Sequence, residues 1–326
     1  MVLDELEIER LIRAAGYDSA TPVAVGVSSP SAKVLVAHRE GADAVGLDCD
    51  GLAYAGSVAK QITGACAAWL AQDGTLDVEA PIADWLPELP PWSRAIRVRH
   101  LIHHTAGLPT TEAVWEQMTS AGETDWTSDG VIAALATMHK LEGQPGAAYA
   151  YSNVGYICLA RLIERLSGDD LNAFAEEHFF EPLQMRTTIL WSGAAPSPPA
   201  AVLPQPLRSP APLSVGDGGL WTSVRDLLRW NDALRADTLG VADTLHTTGA
   251  LDDGTPLDYA WGVRVYHVGS NRVESHGGSW DDATAKLVRL PDLGVSFAAL
   301  AHDGSVERMT ALSSALQDEL LSGTTL

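Results

Sequence analysis

The chain has 326 residues, which is enough for one large domain or for two lobes, and its content of 46% hydrophobic and 19% charged residues is typical of a globular protein. Its 42 acidic residues outnumber its 21 basic residues, so the formal net charge is -21. Because such a surface repels phosphates, the composition argues against nucleic acid and anionic membranes as partners.

The start of the chain has no features of a secretory signal. Residues 1–13 alternate acidic and apolar side chains and lack a basic start followed by an apolar run. No apolar stretch reaches the roughly eighteen residues of a membrane-spanning helix. Cys49, Cys66 and Cys158 show no metal-ligand spacing, and reduced thiols fit the cytosol. We expect a cytoplasmic protein with no membrane partner, metal or cofactor.

The first half of the chain combines two strands with several helices. Apolar spacing predicts a helix ended by Gly16, and two strands follow it at 23–27 and 33–39. Helical periodicity resumes at residue 58 and ends near Gly74. Further helices are predicted over 131–140 (with Asp129 as a candidate N-cap), 154–166 and 172–180.

The second half returns to strands. Seven prolines exclude regular structure from residues 191–215. Strands are predicted over 262–268, 272–275, 283–290 and 295–301, and a closing helix over 306–321. We therefore expect a single α/β (α+β) domain with an antiparallel sheet flanked by helices. An α/β lobe of about residues 1–60 plus 255–326 would enclose a mostly helical lobe of about 61–254.

Ser57 and Lys60 are the most informative pair in the sequence. Residues three positions apart share a helix face, so these two side chains can hydrogen-bond. A neutral lysine there could take the serine proton and activate a nucleophile without any histidine. The chain has only four lysines, which makes chance less plausible, although a lone S-x-x-K match is weak evidence.

Two later motifs complete a recognisable order. Tyr151-Ser152-Asn153 and then His276-Gly277-Gly278 follow the Ser-x-x-Lys motif, and the three together resemble the serine β-lactamase and penicillin-binding-protein superfamily. The tyrosine and histidine are similar to the class C β-lactamase branch, with its family VIII esterases, D-amino-acid peptidases and acyltransferases. The resemblance spans roughly residues 20–305, through further stretches at 101–109, 182–185, 216–221 and 259–262, and implies a β-lactamase/transpeptidase-like fold.

The resemblance assigns roles to the motif residues. Ser57 is the candidate nucleophile, and Lys60 or Tyr151 is the general base, which the sequence leaves open. Asn153 would orient Lys60 and the substrate carbonyl. His276 takes the position of the usual lysine and offers less fixed positive charge to a substrate carboxylate, which disfavours efficient β-lactam hydrolysis and carboxypeptidase activity.

The third motif also suggests how substrate binds. Gly277 and Gly278 would let it lie against an edge strand, and the resemblance implies an oxyanion hole formed by the backbone N–H groups of Ser57 and Ser279. Asp281, with the adjacent Asp282, would either bind a substrate ammonium or form a polar turn. In this family the region equivalent to 191–215 often borders the cleft, whereas the alternative is a surface linker.

These residues predict a serine hydrolase that acts through an acyl-Ser57 intermediate on small esters, amides or short peptides. The alternative is an acyltransferase on the same fold, and a true β-lactamase or a non-catalytic sensor is disfavoured. His103 and His104 are expected to form structural hydrogen bonds. The substrate and the oligomeric state cannot be read from the sequence.

Overall fold

A six-stranded antiparallel sheet forms the centre of the molecule. The computed structural model describes residues 3–18, 21–38, 47–193 and 210–323. Its strands are β1 (Val23–Ser28), β2 (Lys33–His38), β3 (Ala53–Tyr54), β4 (Ile189–Leu190), β5 (Leu220–Thr222), β6 (Arg264–Val268), β7 (Asn271–Trp280), β8 (Ala283–Leu290) and β9 (Val295–Ala301). The large sheet has the order β2-β1-β9-β8-β7-β6, so strands from both ends of the chain pair in it, as the sequence predicted.

Helices cover both faces of this sheet. They are α1 (Glu5–Ala14), α2 (Ala59–Gln72), α3 (Val98–Ile102), α4 (Thr111–Ser120), α5 (Ser128–Thr137), α6 (Asn153–Ser167), α7 (Leu171–Ala175), α8 (Val224–Ala236), α9 (Ala242–Leu245) and α10 (Val306–Ser322). One apolar cluster joins α1 and α10 to one face, and a larger cluster joins α2, α6 and α8 to the other. The predicted fold class, an antiparallel sheet flanked by helices, is confirmed.

The two central strands, β1 and β9, are buried along their whole length. Every residue of β1 and β9 is buried. Successive side chains point to opposite faces, and here both faces pack against helices. Val25 and Phe297 face α1 and α10, while Ala24 and Leu300 face the larger cluster.

Three predicted boundaries were wrong. Helix α5 ends at Thr137, and its N-cap is Thr127, whose hydroxyl accepts the Gly130 N–H; Asp129 instead lies in the first turn and pairs with Arg161. Strand β7 extends through the glycine motif to Trp280, beyond the predicted end, because pairing with β8 outweighs the low strand propensity of glycine. The segment predicted as one helix over 172–180 changes at residue 176 to a wider π turn.

Other predictions are met in part. The three cysteines are buried free thiols, as expected of Cys66 and Cys158. Arg39, the end of one predicted strand, and residues 194–209 of the proline-rich segment lie outside the described residues. Helix α8 belongs to the predicted helical lobe yet packs on β1 and β9, and the two-lobe division stays a prediction. Within the described ranges, no helix is both long and apolar enough to cross a membrane.

The small sheet β3-β5-β4 was not predicted. Its strands have only two or three residues, which is too short for an alternation pattern to be visible in the sequence. Tyr54 of β3 leads directly into the turn that carries Ser57, so this sheet fixes the approach to the site.

Candidate active site

Ser57 lies in a tight turn that is wedged against strand β7. A 3₁₀ turn, Gly56–Val58, leads into α2. Gly56 has φ +51°, and a Cβ added there would lie 3.0 Å from the Ser279 nitrogen. A Cβ added to Gly278 would lie 2.0 Å from the Ala55 oxygen and 2.9 Å from the Ser57 nitrogen. Two glycines therefore allow the nucleophile turn and the third motif to approach at backbone distance.

Lys60 is buried in the first turn of α2 and fully hydrogen-bonded. Its Nζ donates to Ser57 Oγ at 3.0 Å, to Asn153 Oδ1 at 2.8 Å and to the Asp217 carbonyl oxygen at 2.7 Å. An ammonium has three N–H donors, which matches these three acceptors. The geometry therefore fits Lys60 as a cation that holds Ser57 and Asn153 in place.

Close backbone packing encloses Lys60. A Cβ at Gly262 would lie 2.0 Å from the Lys60 carbonyl oxygen, and one at Gly64 would lie 2.0 Å from the Trp261 carbonyl oxygen. The segment around Trp261 therefore rests directly on α2. Glycines at these positions therefore permit the close approach of the two segments.

Asn153 is free to bind Lys60 because its neighbour caps the helix. Ser152 is the N-cap of α6, and its Oγ accepts the Gly155 N–H at 3.0 Å. Asn153 is the first residue of α6, so its amide oxygen is available to Lys60. Within this motif, the serine therefore caps the helix and the asparagine binds the lysine.

Tyr151 stands at the edge of the site, with 43% of its surface exposed. Lys60 Nζ lies 4.9 Å from its ring centroid, close enough for a cation–π contact. The ring also packs on His104, with 4.4 Å between centroids. His104 Nδ1 accepts the Ser152 N–H at 3.0 Å and its carbonyl accepts the Ala150 N–H at 2.8 Å, so His104 holds the loop that carries Tyr151.

His103, the residue before His104, also forms a structural hydrogen bond. His103 Nδ1 lies 3.2 Å from the Tyr259 carbonyl oxygen, and a carbonyl can only accept, so this nitrogen carries the proton. The expected structural hydrogen bonds of His103 and His104 are both present.

His276 is buried, and both of its ring nitrogens are engaged. Nδ1 lies 2.6 Å from the Gly277 carbonyl oxygen and must donate, so Nε2 accepts the Tyr259 hydroxyl at 3.0 Å. Burial, and next the nearby Lys60 charge, lower the pKa of His276 to about 3. His276 is therefore neutral near pH 7, and the expected lack of fixed positive charge at this position is confirmed.

Two cavities meet at Ser57. One, of about 500 Å³, runs from Ser57 and Tyr151 past β7 and β8 to α10; we call it the β7–α10 cavity. The other, of about 480 Å³, is walled by Trp115, Trp126 and Trp280 and is called the tryptophan cavity. Residues 210–213 line the tryptophan cavity, so the described end of the proline-rich segment borders the cleft. The Trp280 Nε1–H donates to the Pro210 carbonyl at 3.1 Å.

Of the residues predicted to bind substrate, those of the third motif lie in the cleft and the two aspartates do not. Gly277, Gly278 and Ser279 line the β7–α10 cavity beside Ser57. Asp281 lies in the turn between β7 and β8 with φ +34°, and neither it nor Asp282 lines either cavity. The polar-turn interpretation of the two aspartates fits this position better than an ammonium site. The oxyanion role of the Ser57 and Ser279 amides stays a prediction.

Comparison with known proteins gives this arrangement a family. The family model described as Beta-lactamase matches residues 9–319. The chain belongs to this beta-lactamase family. It is 28% identical over 276 residues to the D-aminopeptidase of Brucella suis biovar 1 (strain 1330), covering 78% of this chain and 52% of that protein. It is 27% identical over 267 residues to a penicillin-binding protein of Bacillus subtilis (strain 168), covering 72% and 57%. The chain thus spans about half the length of these relatives.

Solved structures show the same fold. D-amino acid amidase from Ochrobactrum anthropi SV3, in complex with L-phenylalanine, superposes with a TM-score of 0.79 at 19% identity, over 98% of this chain and 99% of that one. A D-stereospecific amidohydrolase from Streptomyces sp. gives 0.76 at 20% identity, over 99% and 100%. At such identities the likeness establishes the beta-lactamase fold alone.

One hydrogen-bond acceptor of Lys60 could not be predicted from the sequence. The third acceptor of Lys60 is the main-chain oxygen of Asp217, and a backbone contact leaves no mark on residue type. The loop is stabilised by Ser214 Oγ, which donates to the Asp217 carboxylate at 2.7 Å, and by Thr63 Oγ1, which donates to the Gly216 carbonyl at 2.9 Å. The sequence signal that could have pointed to this loop is the resemblance of residues 216–221 to the family.

Buried neutral histidines predict acid lability. Burial lowers the pKa of His103 to about 4 and that of His276 to about 3, against about 6.5 when unfolded. Below pH 6.5 the unfolded chain binds protons at both rings that the folded chain does not, so acid favours unfolding. This stability is complete above pH 6.5 and is lost as the pH falls towards 4 and 3. From these two rings alone, urea unfolding should give a free energy about 4 kcal/mol lower at pH 5 than at pH 7.

One variant isolates this effect. His103→Gln should reduce the pH dependence of the unfolding free energy by about one proton, because it removes one of the two buried rings. A flat profile between pH 5 and 7 in the wild type would show that the buried rings do not resist protonation.

Proposed function

We propose that this chain is a serine hydrolase that cleaves small amides, short peptides and esters through an acyl-Ser57 intermediate. The observation that carries the proposal is the buried Lys60 ammonium, which joins Ser57 Oγ to Asn153 beside an open cavity. The names of its relatives, a D-aminopeptidase and a penicillin-binding protein, support acyl transfer from an amide.

Acylation needs one proton transfer and one charge stabilisation. Ser57 Oγ attacks the substrate carbonyl, the C–N or C–O bond breaks, and the serine proton passes to the leaving group. The backbone N–H groups of Ser57 and Ser279 would hold the oxyanion, because the turn and β7 meet there. Water then attacks the acyl-Ser57 ester and releases the acid.

The hydrogen bonds of Lys60 favour Tyr151 as the proton acceptor. With three N–H groups donated to three acceptors, Lys60 has no lone pair for the serine proton. Its Nζ lies 4.9 Å from the centroid of the Tyr151 ring. Tyr151 lines the same cavity as Ser57. In this mechanism Lys60 is the fixed charge, and Tyr151 moves the proton from Ser57 to the leaving group.

The tryptophan cavity suits an acyl group that carries a free amine. Its apolar wall is formed by three tryptophans, and Glu112 and Asp125 are its acidic residues besides the buried Asp217. Carboxylates that line an apolar pocket would bind an ammonium, and this agrees with the name of the Brucella relative. We propose that the free amine lies at Glu112 rather than at the turn residue Asp281.

The test compares a D-amino-acid p-nitroanilide with its N-acetyl derivative. The wild type should turn over many times and show a kcat/KM for the free amine at least tenfold higher, which corresponds to about 1.4 kcal/mol. Glu112→Gln should reduce this ratio about tenfold, whereas the matched variant Asp281→Asn should preserve it. An unchanged ratio in Glu112→Gln would refute the amine site, and a single acylation without turnover would refute the hydrolase.

The same assay separates hydrolysis from acyl transfer. With an added amine or alcohol, a hydrolase should still release mainly the free acid, whereas an acyltransferase should release the condensed product. Release of p-nitrophenol from p-nitrophenyl acetate would establish the esterase activity that we also propose. The three buried reduced cysteines support our proposal of a cytoplasmic location.

A further inference from the structure

A second buried polar cluster lies beside the start of β7, outside both cavities that meet at Ser57. Strand register pairs Glu274 of β7 with Arg289 of β8, and Arg289 with Ser296 of β9. Residues paired in this way point to the same face of a sheet, so the three side chains form one row across three strands. All three are buried.

A cavity of about 480 Å³ opens on this row, between the three strands and the ends of α8 and α9. Its lining includes Arg235, Arg272 and Arg289, and we call it the arginine cavity. No described residue that lines it also lines the β7–α10 cavity or the tryptophan cavity, so it is a separate site.

Arg289 holds the row together, but one of its nitrogens lacks a secure acceptor. Its Nε donates to Glu274 at 2.9 Å, and its Nη1 donates to Gln61 Oε1 at 3.0 Å and to Asn231 Oδ1 at 2.9 Å. The remaining nitrogen, Nη2, lies 3.1 Å from His246 Nε2.

His246 cannot satisfy both of its neighbours. Its Nε2 lies 3.0 Å from Glu274 Oε2 as well as 3.1 Å from Arg289 Nη2. Burial lowers the pKa of His246, so the ring is neutral near pH 7 and Nε2 either donates or accepts. If it donates to Glu274, Arg289 Nη2 has no acceptor there. If it accepts from Arg289, its hydrogen bond to Glu274 is lost. A further acceptor beside Arg289 would remove this conflict.

Two more donors at the cavity have no acceptor among the residues that the structure describes. Ser296 Oγ is buried without a hydrogen bond. The same holds for Arg272 Nε, although the Arg272 side chain as a whole is 37% exposed. Arg272 Nη2 pairs with Glu274 Oε1 at 3.1 Å, which fixes the guanidinium at the cavity. Because buried polar groups normally have partners, these donors indicate a ligand that supplies acceptors.

The charge of the row favours a singly charged anion. Burial would raise the pKa of Glu274, but the hydrogen bond with His246 and the Arg289 charge outweigh it and lower that pKa to about 2, so Glu274 is ionised. This one carboxylate is shared by Arg272 and Arg289, which leaves one positive charge in excess. A monoanion would neutralise it, whereas a dianion would leave a buried negative charge.

The other charged residues of the lining do not change this balance. Arg235 pairs with Asp232 at 3.0 Å. Asp237 Oδ1 accepts the Ala242 N–H at 3.0 Å. Asp243 is exposed, so water and salt screen its charge.

We propose that the arginine cavity binds a small organic monocarboxylate. The carboxylate would accept hydrogen bonds from Arg272 Nε, Arg289 Nη2 and Ser296 Oγ. Its apolar body would pack on the apolar part of the lining, which is Leu234, Ala242, Pro291 and Val295. Since Arg289 also donates to Gln61, the residue after Lys60 in α2, the ligand would join the network that supports the nucleophile helix.

The experiment is calorimetric titration of the wild type at pH 7 with three probes. They are 3-methylbutanoate, the uncharged 3-methylbutan-1-ol, and sulfate, which is a dianion without an apolar body. The carboxylate should bind at least tenfold more tightly than either of the other two, as expected for charge-assisted hydrogen bonds. No measurable binding of the carboxylate, or no preference over the alcohol, would overturn the site. Equal or tighter binding of sulfate would overturn its assignment to a monocarboxylate.

Three variants locate the bound carboxylate. Arg272→Met should weaken its binding about tenfold, and Ser296→Ala should weaken it several-fold. Lys286→Met, which removes a cation from the lining of the β7–α10 cavity, should leave the affinity unchanged. Ser296→Ala removes a single buried oxygen, so it remains informative if Arg272→Met fails to fold. Loss of binding in Lys286→Met, or unchanged affinity in a folded Ser296→Ala, would overturn the arginine cavity as the site.

Discussion

Replacing Ser57 with alanine is expected to abolish turnover of every substrate that the wild type hydrolyses. The hydroxyl oxygen accepts one Lys60 N–H and is the only protein atom that forms a bond to the acyl carbon in the proposed mechanism. In serine hydrolases, loss of the nucleophile costs about a millionfold in kcat. Steady-state kinetics with p-nitrophenyl acetate and a peptide amide should therefore show only the background rate.

The matched control for this variant is Ser314→Ala. Ser314 also lines the β7–α10 cavity, but it lies on α10 and has no part in the proposed chemistry. It should retain turnover within a few-fold of the wild type. Residual activity of Ser57→Ala above one hundredth of the wild-type value, in a folded protein, would assign the nucleophile to another residue.

Replacing Lys60 with methionine is expected to reduce kcat/KM about a thousandfold, because the proposed proton transfer by Tyr151 takes place beside the Lys60 charge and general acid–base catalysis contributes a factor of this order. The substitution preserves much of the side-chain volume but removes the charge beside Tyr151 and the donor to Ser57 Oγ, Asn153 Oδ1 and the Asp217 carbonyl. Lys140→Met controls for the loss of a lysine charge elsewhere, and circular dichroism establishes that both variants fold.

A second readout distinguishes a lost charge from a distorted site. The Lys60 charge contributes to the lowered pKa of His276, so Lys60→Met should raise that pKa from about 3. Nuclear magnetic resonance titration of the imidazole would measure the change. A Lys60→Met protein with kcat/KM within threefold of the wild type would contradict the role of Lys60 in both binding and catalysis.

Much of the fold could be predicted because the relevant signals were local. Apolar periodicity identified α1, α6 and α10 and most strands of the large sheet, since each buries one or both faces along its whole length. Pairing of the first and last strands followed from their order in the chain. Strands β3 and β4 have only two residues each, so they are too short to show an alternation of apolar and polar residues. They form through pairing with β5.

The site was predictable where chemistry resides in side chains of motif residues. Ser57, Lys60 and Asn153 meet as the resemblance to the family implied, and Tyr151 lies beside them. The Asp217 carbonyl was not predictable, because any residue supplies that oxygen.

The position of Lys286 opposite Gly277 could not be predicted, because it depends on the register of β8 against β7 and sequence spacing does not give that register. Lys286 lies nine residues beyond Gly277, across a turn, and meets it only through strand pairing. Asp281 shows the converse error, since adjacency to the motif suggested a role in the cleft that the turn does not support.

The measurement that tests the central claim most directly is mass spectrometry of the enzyme after reaction with a fluorophosphonate. We predict one adduct per chain and no adduct in Ser57→Ala. Peptide mapping should locate the adduct on Ser57. Prior incubation with a substrate that the enzyme hydrolyses should slow the labelling. An adduct on another residue, or full labelling of Ser57→Ala, would contradict the acyl-Ser57 mechanism.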